Sequence, residues 1–440
     1  MMLKKLIPVL VVCSLLVLLI VPGCGGEDED NVIKIGVIGP MQYVQGDHHW
    51  YGATMAMEEI NDAGGIDVDG EMYTIELIKA DSNEMTSPTD AAAAMEKLIS
   101  VDGAQFVVGG FRTESVFPMI EVAMDYDTIF LGCGAATESL CQLAVDDYDR
   151  YKYWFRVTPF NSTKLVSNSL MTLGMAGGIM QQGLGLEGPM QVAILAEQAE
   201  WADGMVAAYQ AYVPAMLQME VVGTWRPSAT ATDLTAELTA IEDSGAHLIL
   251  TILSGPVGIP YARQLGELEI PAASVGINVE AQKDGFWDAT EGYGEYETTL
   301  NTYAEGVALT SKTVEFIGDF IERFDQTPTY NAGTYDAIYL LKEAIESTGT
   351  LDADAIVAEL EDIDYEGAGG RIVFMGTDTT TPHDVTYGPD YTTGIATQWE
   401  DGEMKAVWPN LGVGEWEDVT YEGVVMWQIP DRVIEYYTQQ

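Results

Sequence analysis

Two short apolar runs constrain this chain most. Phe106-Val107-Val108 is followed at once by Gly109-Gly110-Phe111-Arg112-Thr113, and Thr128-Ile129-Phe130-Leu131 by Gly132-Cys133-Gly134-Ala135-Ala136-Thr137. Between them Val116, Met119, Ile120, Ala123 and Met124 recur at helical spacing. Strand, loop, helix, strand, loop is the pattern of a parallel sheet covered on both faces. In such sheets small ligands sit beyond the carboxyl ends of the strands, where the following helices aim their free N–H groups. Thr113 and Thr137 are hydroxyls at these loop-to-helix junctions. Both loops are therefore expected to hold the polar head of a small ligand, although the same residues would serve equally as helix N-caps.

The remaining chain repeats the plan. Val32 to Gly39 reads as a strand closed by Pro40, a loop from Met41 to Trp50 leads to a helix ending at Asn61-Asp62-Ala63-Gly64-Gly65, and Tyr73 to Ala80 is the next strand. Pro88 opens an alanine-rich helix, and Tyr153 to Pro159 reads as a strand leaving this first lobe. Alternating helices and strands then run from Ser162 to Tyr303, followed by helices over 312–324, 331–347 and 352–361. Asp401-Gly402 between two apolar runs signals a closing hairpin. The expected class is α/β, with two lobes built to one plan.

At 440 residues, two domains are the natural division. With 69 acidic against 19 basic residues the net charge is -50. Such a field repels nucleic acid and anionic membrane surfaces, so neither is a partner held through charge. Residues 1–24 differ from the rest: Lys4 and Lys5 precede an apolar run from Leu6 to Val21, and Val21-Pro22-Gly23-Cys24 follows. A positive start, an apolar stretch and a small residue before the cut make an export signal, the alternative being an uncleaved N-terminal anchor. Residues 25–31 read as an acidic tether. The run is short for a stable membrane span, no later run is long enough for one, and the folded part is placed outside the cytoplasmic membrane. The two later cysteines, Cys133 and Cys141, are candidates for a disulfide, the alternative being two buried thiols. The four histidines form no ligand pattern, and His48-His49 reads as a solvated loop feature. No metal and no cofactor are implied.

The strand Ile33 to Pro40, the helix end Glu59-Ile60-Asn61-Asp62-Ala63-Gly64-Gly65-Ile66, the loop Gly132 to Thr137, Tyr335-Asp336-Ala337 and the hairpin Gln398-Trp399-Glu400-Asp401-Gly402 with Val407-Trp408-Pro409 together resemble one family. It is that of the substrate-binding lipoproteins of branched-chain amino-acid ABC transporters, with the type I periplasmic-binding fold. The resemblance covers nearly all of the chain after the tether. It implies two Rossmann-like lobes with parallel sheets, joined by a hinge of three crossovers near Thr158, Tyr303 and Gly370. The first lobe would hold 32–157 plus 305–368, the second 158–304 plus 369–430, leaving 431–440 as a tail. The segment before Cys24 resembles a lipobox, which implies a lipid on Cys24, and the permease of an ABC importer is the implied partner.

Carried over by position, the resemblance places a ligand carboxylate on Thr113, flanked by Phe111 and Arg112, and on Ala135 and Thr137, with Ala136 between. Trp201 would cover the ligand from the second lobe, and Tyr330 would be a second cleft aromatic. A helix-start aromatic packed on the core is the competing reading of Trp201. Several positions depart from the family. The acid that pairs with a ligand ammonium falls at Asn278, and Glu280 could replace it only if the register slips. A family tyrosine is replaced near Ser254-Gly255. Arg112 stands where a half-cystine is common, and its partner near Ser82 is absent. Arg112 could reach a second acid group on a ligand or pair with Glu114 at the rim. These departures move the expected solute from a leucine-like amino acid toward an acid, an amide or another small polar compound.

Two other classes fit the sequence less well. An enzyme lacks support: there is no nucleophile elbow and no phosphate loop, and Gly183-Leu184-Gly185-Leu186-Glu187-Gly188 precedes a strand instead of following one, so it cannot present a helix N-terminus to a pyrophosphate. A stand-alone ligand sensor of the same fold, working through a partner protein, is the alternative; the chain reaches Gln440 without a signalling segment after the lobes.

Overall fold

The computed structural model describes residues 31–410, 412 and 414–439. The expected export signal and Cys24 lie outside the described residues. A first sheet contains β1 (Val32–Gly39), β2 (Ile66–Val68), β3 (Glu71–Asp81), β4 (Phe106–Gly109), β5 (Ile129–Gly132) and β6 (Trp154–Arg156), in the order β2-β3-β1-β4-β5-β6. All pairings are parallel except β2 with β3. Its strands β4 and β5 are continuous apolar runs buried along their whole length, as strands covered on both faces require. The covering helices are α1 (Val44–Asp62), α2 (Pro88–Ser100), α3 (Thr113–Asp125), α4 (Ser139–Asp146) and the single turn α5 (Tyr148–Tyr151).

The chain leaves this sheet after Arg156 and enters α6 (Ser162–Leu184). A second sheet follows, with β7 (Gln191–Ala196), β8 (Glu220–Trp225), β9 (Leu248–Leu253), β10 (Ala273–Asn278) and β11 (Thr298–Asn301). These five strands are parallel, and α7 (Glu200–Leu217), α8 (Thr235–Asp243), α9 (Gly258–Glu267) and the short α10 (Phe286–Ala289) connect them. The chain then returns. Helices α11 (Thr313–Phe324) and α12 (Thr334–Thr348) pack on α1, and α13 (Ala353–Asp362) packs on α12. A two-stranded ribbon, β12 (Asp364–Gly367) with β13 (Gly370–Val373), precedes the last passage. The hairpin β14 (Ile395–Glu400) and β15 (Glu403–Trp408) then adds antiparallel to β11, giving the order β15-β14-β11-β10-β9-β7-β8. Helix α14 (Asp431–Thr438) packs against α6. The fold is thus mixed α/β, two lobes with parallel-rich sheets.

Two expectations are corrected here. Helix α1 starts at Val44, so His48 and His49 are not in a solvated loop: both are buried, at 1% and 0% exposure. His48 bonds Thr329 and Gln326, and burial pushes both imidazoles down to about 4, so they are neutral at pH 7. Cys133 and Cys141 are free, buried thiols. The Cys133 thiol donates to the Leu131 carbonyl, while the Cys141 sulfur lies 3.5 Å from the Arg156 guanidinium. Each sulfur is engaged by a different neighbour, and burial pushes both thiols well above their ordinary range.

Candidate functional site

The tips of β4 and β5 touch. A Cβ on Gly109, whose φ is +118°, would fall 2.1 Å from the Ile38 carbonyl oxygen, and one on Gly134 would fall 2.2 Å from that of Gly110. Only glycine permits this approach and this φ. The loop after β4 is held by Glu84. One carboxylate oxygen accepts the N–H groups of Phe111 and Arg112 at 2.8 and 2.7 Å, and the other accepts the Ser82 hydroxyl at 2.8 Å. Burial raises the Glu84 carboxyl above its usual range, against these hydrogen bonds. Glu84 therefore cross-links the two segments that the family resemblance would tie through sulfur. Thr113 opens α3 beside it, where the first N–H groups of the helix have no intrahelical acceptor.

The loop after β5 is fixed from below. Both His49 Nε2 and Asn331 Nδ2 donate to the Cys133 carbonyl, at 3.0 and 3.2 Å. Arg156 is fully buried and pairs with Asp384 at 2.8 Å. Its remaining donors reach the carbonyls of Ala135 and Thr137. A buried guanidinium needs acceptors for all its donors, and it draws those two residues toward the interior. The loop consequently presents Gly134 and Ala136 to the cleft, and neither Ala135 nor Thr137 lines it.

From the second lobe, β7 is followed directly by Glu197, a carboxylate with no exposed surface. It accepts the N–H groups of Ser254 and Gly255 at 2.9 and 2.7 Å, the Ser254 hydroxyl at 2.5 Å and Trp201 Nε1 at 2.9 Å. Across the cleft, Arg112 Nη1 lies 3.3 Å from Glu197 and donates to Ser254 Oγ at 3.1 Å. Arg112 Nε also stands 3.6 Å from Glu114, whose other oxygen accepts the Glu200 N–H of the second lobe at 3.1 Å. The lobes are closed on one another through these bonds.

Asn278 does not line the cleft. Side chains alternate faces here, so Ile277 and Val279 face the cavity while Asn278 donates to the Gly258 carbonyl and to Glu297 at 3.2 and 3.0 Å behind the sheet. Glu280 is paired with Lys283 at 2.6 Å and does not line it either.

What the lobes enclose is a cavity of about 620 Å³, its open mouth included. Of the sequence-derived candidates, Phe111, Arg112, Thr113, Ala136, Trp201, Ser254 and Tyr330 meet there. Phe160, Leu165, Ile277 and Leu300 give it a largely apolar wall, and Arg112 is the one charged residue among the described residues that line it. Such a chamber suits a small molecule with an apolar body and a negative or polar head. No group of three or more His, Cys, Asp and Glu side chains among the described residues is placed to hold a metal, and no described helix is long and apolar enough to cross a membrane. Glu84 and Glu197, which position the site, were not legible beforehand: nothing in composition or spacing sets them apart among 69 acids.

Two α/β lobes closing on a lined cleft define a two-lobed solute-binding protein. The family model of periplasmic binding proteins matches residues 32–388, and the chain belongs to that family. Among its relatives is an amino acid binding protein of Pseudomonas aeruginosa, 28% identical over 245 residues, which cover 54% of this chain and 59% of the relative. The match therefore spans less than two thirds of that relative's length. Among solved structures, the branched-chain amino acid transporter substrate binding protein LivJ from Streptococcus pneumoniae, in complex with isoleucine, superposes with a TM-score of 0.68 at 18% identity, covering 85% of this chain and 97% of that one. A solute binding protein of an ABC transporter from Rhodopseudomonas palustris HaA2, in complex with p-hydroxybenzoic acid, gives 0.68 at 18% identity, with 85% and 95% covered.

Proposed function

We propose that this chain is the exported, lipid-anchored receptor of an ABC importer, which captures a small carboxylate between its lobes and delivers it to the permease. The observation that carries the reading is the cleft itself: an apolar chamber whose single charged lining residue is Arg112, next to Thr113 and the open start of α3. Arg112 and Thr113, with the backbone at Gly134 and Ala136, form the carboxylate end. Trp201 and Tyr330, with Phe111, enclose the body. The amino acid and aromatic acid bound by the structural neighbours support a solute of this size. The lobe boundaries and crossovers expected from the sequence, and lipid on Cys24, belong to the same proposal; labelling with a radioactive fatty acid that is lost in Cys24→Ser tests the anchor.

Closing two lobes from mostly open to mostly closed takes roughly 5 kcal/mol of differential affinity. Charge-assisted bonds of ~1.5–3 kcal/mol each supply it from a few contacts. Calorimetry with the tightest carboxylate found in a thermal-shift screen should show Thr113→Val weakening binding about tenfold, roughly 1.4 kcal/mol, while Thr137→Val leaves it unchanged. Equal losses in both variants, or none in Thr113→Val, would remove Thr113 from the site.

A further inference from the structure

Gln282 follows β10, lines the cleft and is 2% exposed. Its amide is oriented by its own bond: Nε2 donates to the Leu300 carbonyl at 2.7 Å. That leaves Oε1, a buried acceptor, with no partner in the protein. A buried acceptor left unpaired loses its hydration with nothing in return, so such an atom on a residue that lines a ligand chamber is a candidate for a donor brought by the ligand. Among the described residues, the unpartnered buried atoms Asn278 Oδ1, Thr251 Oγ1 and Glu297 Oε2 belong to residues that do not line the cavity.

The position of Gln282 restricts the ligand further. Arg112 is bonded to Ser254, just beyond β9, whereas Gln282 is bonded to Leu300 in β11. β10 runs between these strands, so the two poles are separated by two inter-strand spacings, about 10 Å. An α-amino acid carries its ammonium one carbon from its carboxylate and does not span that distance. Among the described residues no carboxylate lines the cavity at the Gln282 pole to favour a cation either: Glu280 is paired with Lys283 and Asp284 accepts from Thr327. Resting on the carboxylate reading above, we infer that Gln282 is the specificity-determining acceptor of the cleft, and that the solute is a carboxylate with a ring-sized apolar body whose far end carries a neutral hydrogen-bond donor, a hydroxyl or an amide.

The test is calorimetry with matched probes, benzoate against 4-hydroxybenzoate and phenylacetate against 4-hydroxyphenylacetate, with leucine as the zwitterion. In the wild-type chain at least one hydroxylated acid should bind ten or more times tighter than its plain partner and tighter than leucine. Gln282→Met should cost the hydroxylated acid about tenfold and leave the plain acid within threefold. If each pair binds equally to the wild type, or if Gln282→Met weakens both members alike, the role of Gln282 is overturned while the carboxylate site stands. If no acid binds the wild type, the carboxylate reading falls, and the Gln282 assignment with it. The comparison within the wild type needs no variant to fold.

Discussion

Glu297 and Asn278 illustrate how a single residue's surroundings set its role. Glu297 is fully buried behind the second sheet, where it accepts from Asn278 at 3.0 Å. Burial pushes its carboxyl up to about 7, partly offset by the Asn278 bond. The folded chain therefore holds a proton that the unfolded chain releases between its usual value of 4.5 and 7. Protons bound more tightly by the native state make its stability fall as pH rises through that window. Glu297→Gln should flatten this dependence, matching wild type near pH 4 and exceeding it at pH 8 by ~2–3 kcal/mol, as read from urea unfolding at both pH values. A variant less stable than wild type at pH 8 would refute the burial account. At this scale the sequence was least legible. Period-two alternation put Asn278 behind the sheet, and Arg156 drew the carbonyls of Ala135 and Thr137 inward, so the cleft received Gly134 and Ala136 instead. A one-residue register within a loop is set by tertiary partners distant in sequence, here Asp384 and His49.

Elements were far more legible. β4 and β5 are apolar runs ended by glycine, and α3 carries its apolar face at the spacing its sequence shows, so both strands and the helix fall where the pattern puts them. The first turns of α1 were hidden because Gln45, His48 and His49 interrupt the apolar period, yet all three are buried, with His48 and His49 bonded to Thr329 and Asn331 just before α12. The loop between β4 and α3 owes its shape to the Glu84 carboxylate as well as to the glycines at its start. Glu84→Ala should leave the Phe111 and Arg112 N–H groups unpaired, speed their hydrogen exchange at least tenfold and lower stability by about 1–3 kcal/mol. Unchanged exchange at those two amides would show that the loop is shaped otherwise.

For the whole molecule, the ligand chamber is a property of closure. Arg112 reaches Glu197 and Ser254, Glu114 receives the Glu200 N–H, and Asp284 accepts from Thr327, so each lobe contributes bonds that exist only when the other is near. Glu197 is held by four donors of its own lobe and is committed to Arg112. It neutralises the guanidinium without entering the lining, and a ligand carboxylate at Arg112 must compete with it. On the proposed carboxylate reading, a chain of net charge -50 can offer a site to an anion because Glu197 is saturated and no carboxylate among the described residues lines the cavity. We propose that one small carboxylate lies between the lobes with its head at Arg112 and Thr113. A crystal structure grown with the tightest acid from the calorimetric series tests it most directly. Density for that acid is expected in the cleft, its carboxylate within hydrogen-bonding distance of the Thr113 hydroxyl and its far end at Gln282; an acid bound elsewhere, or bound with its carboxylate at the second lobe's Gln282, would overturn this placement.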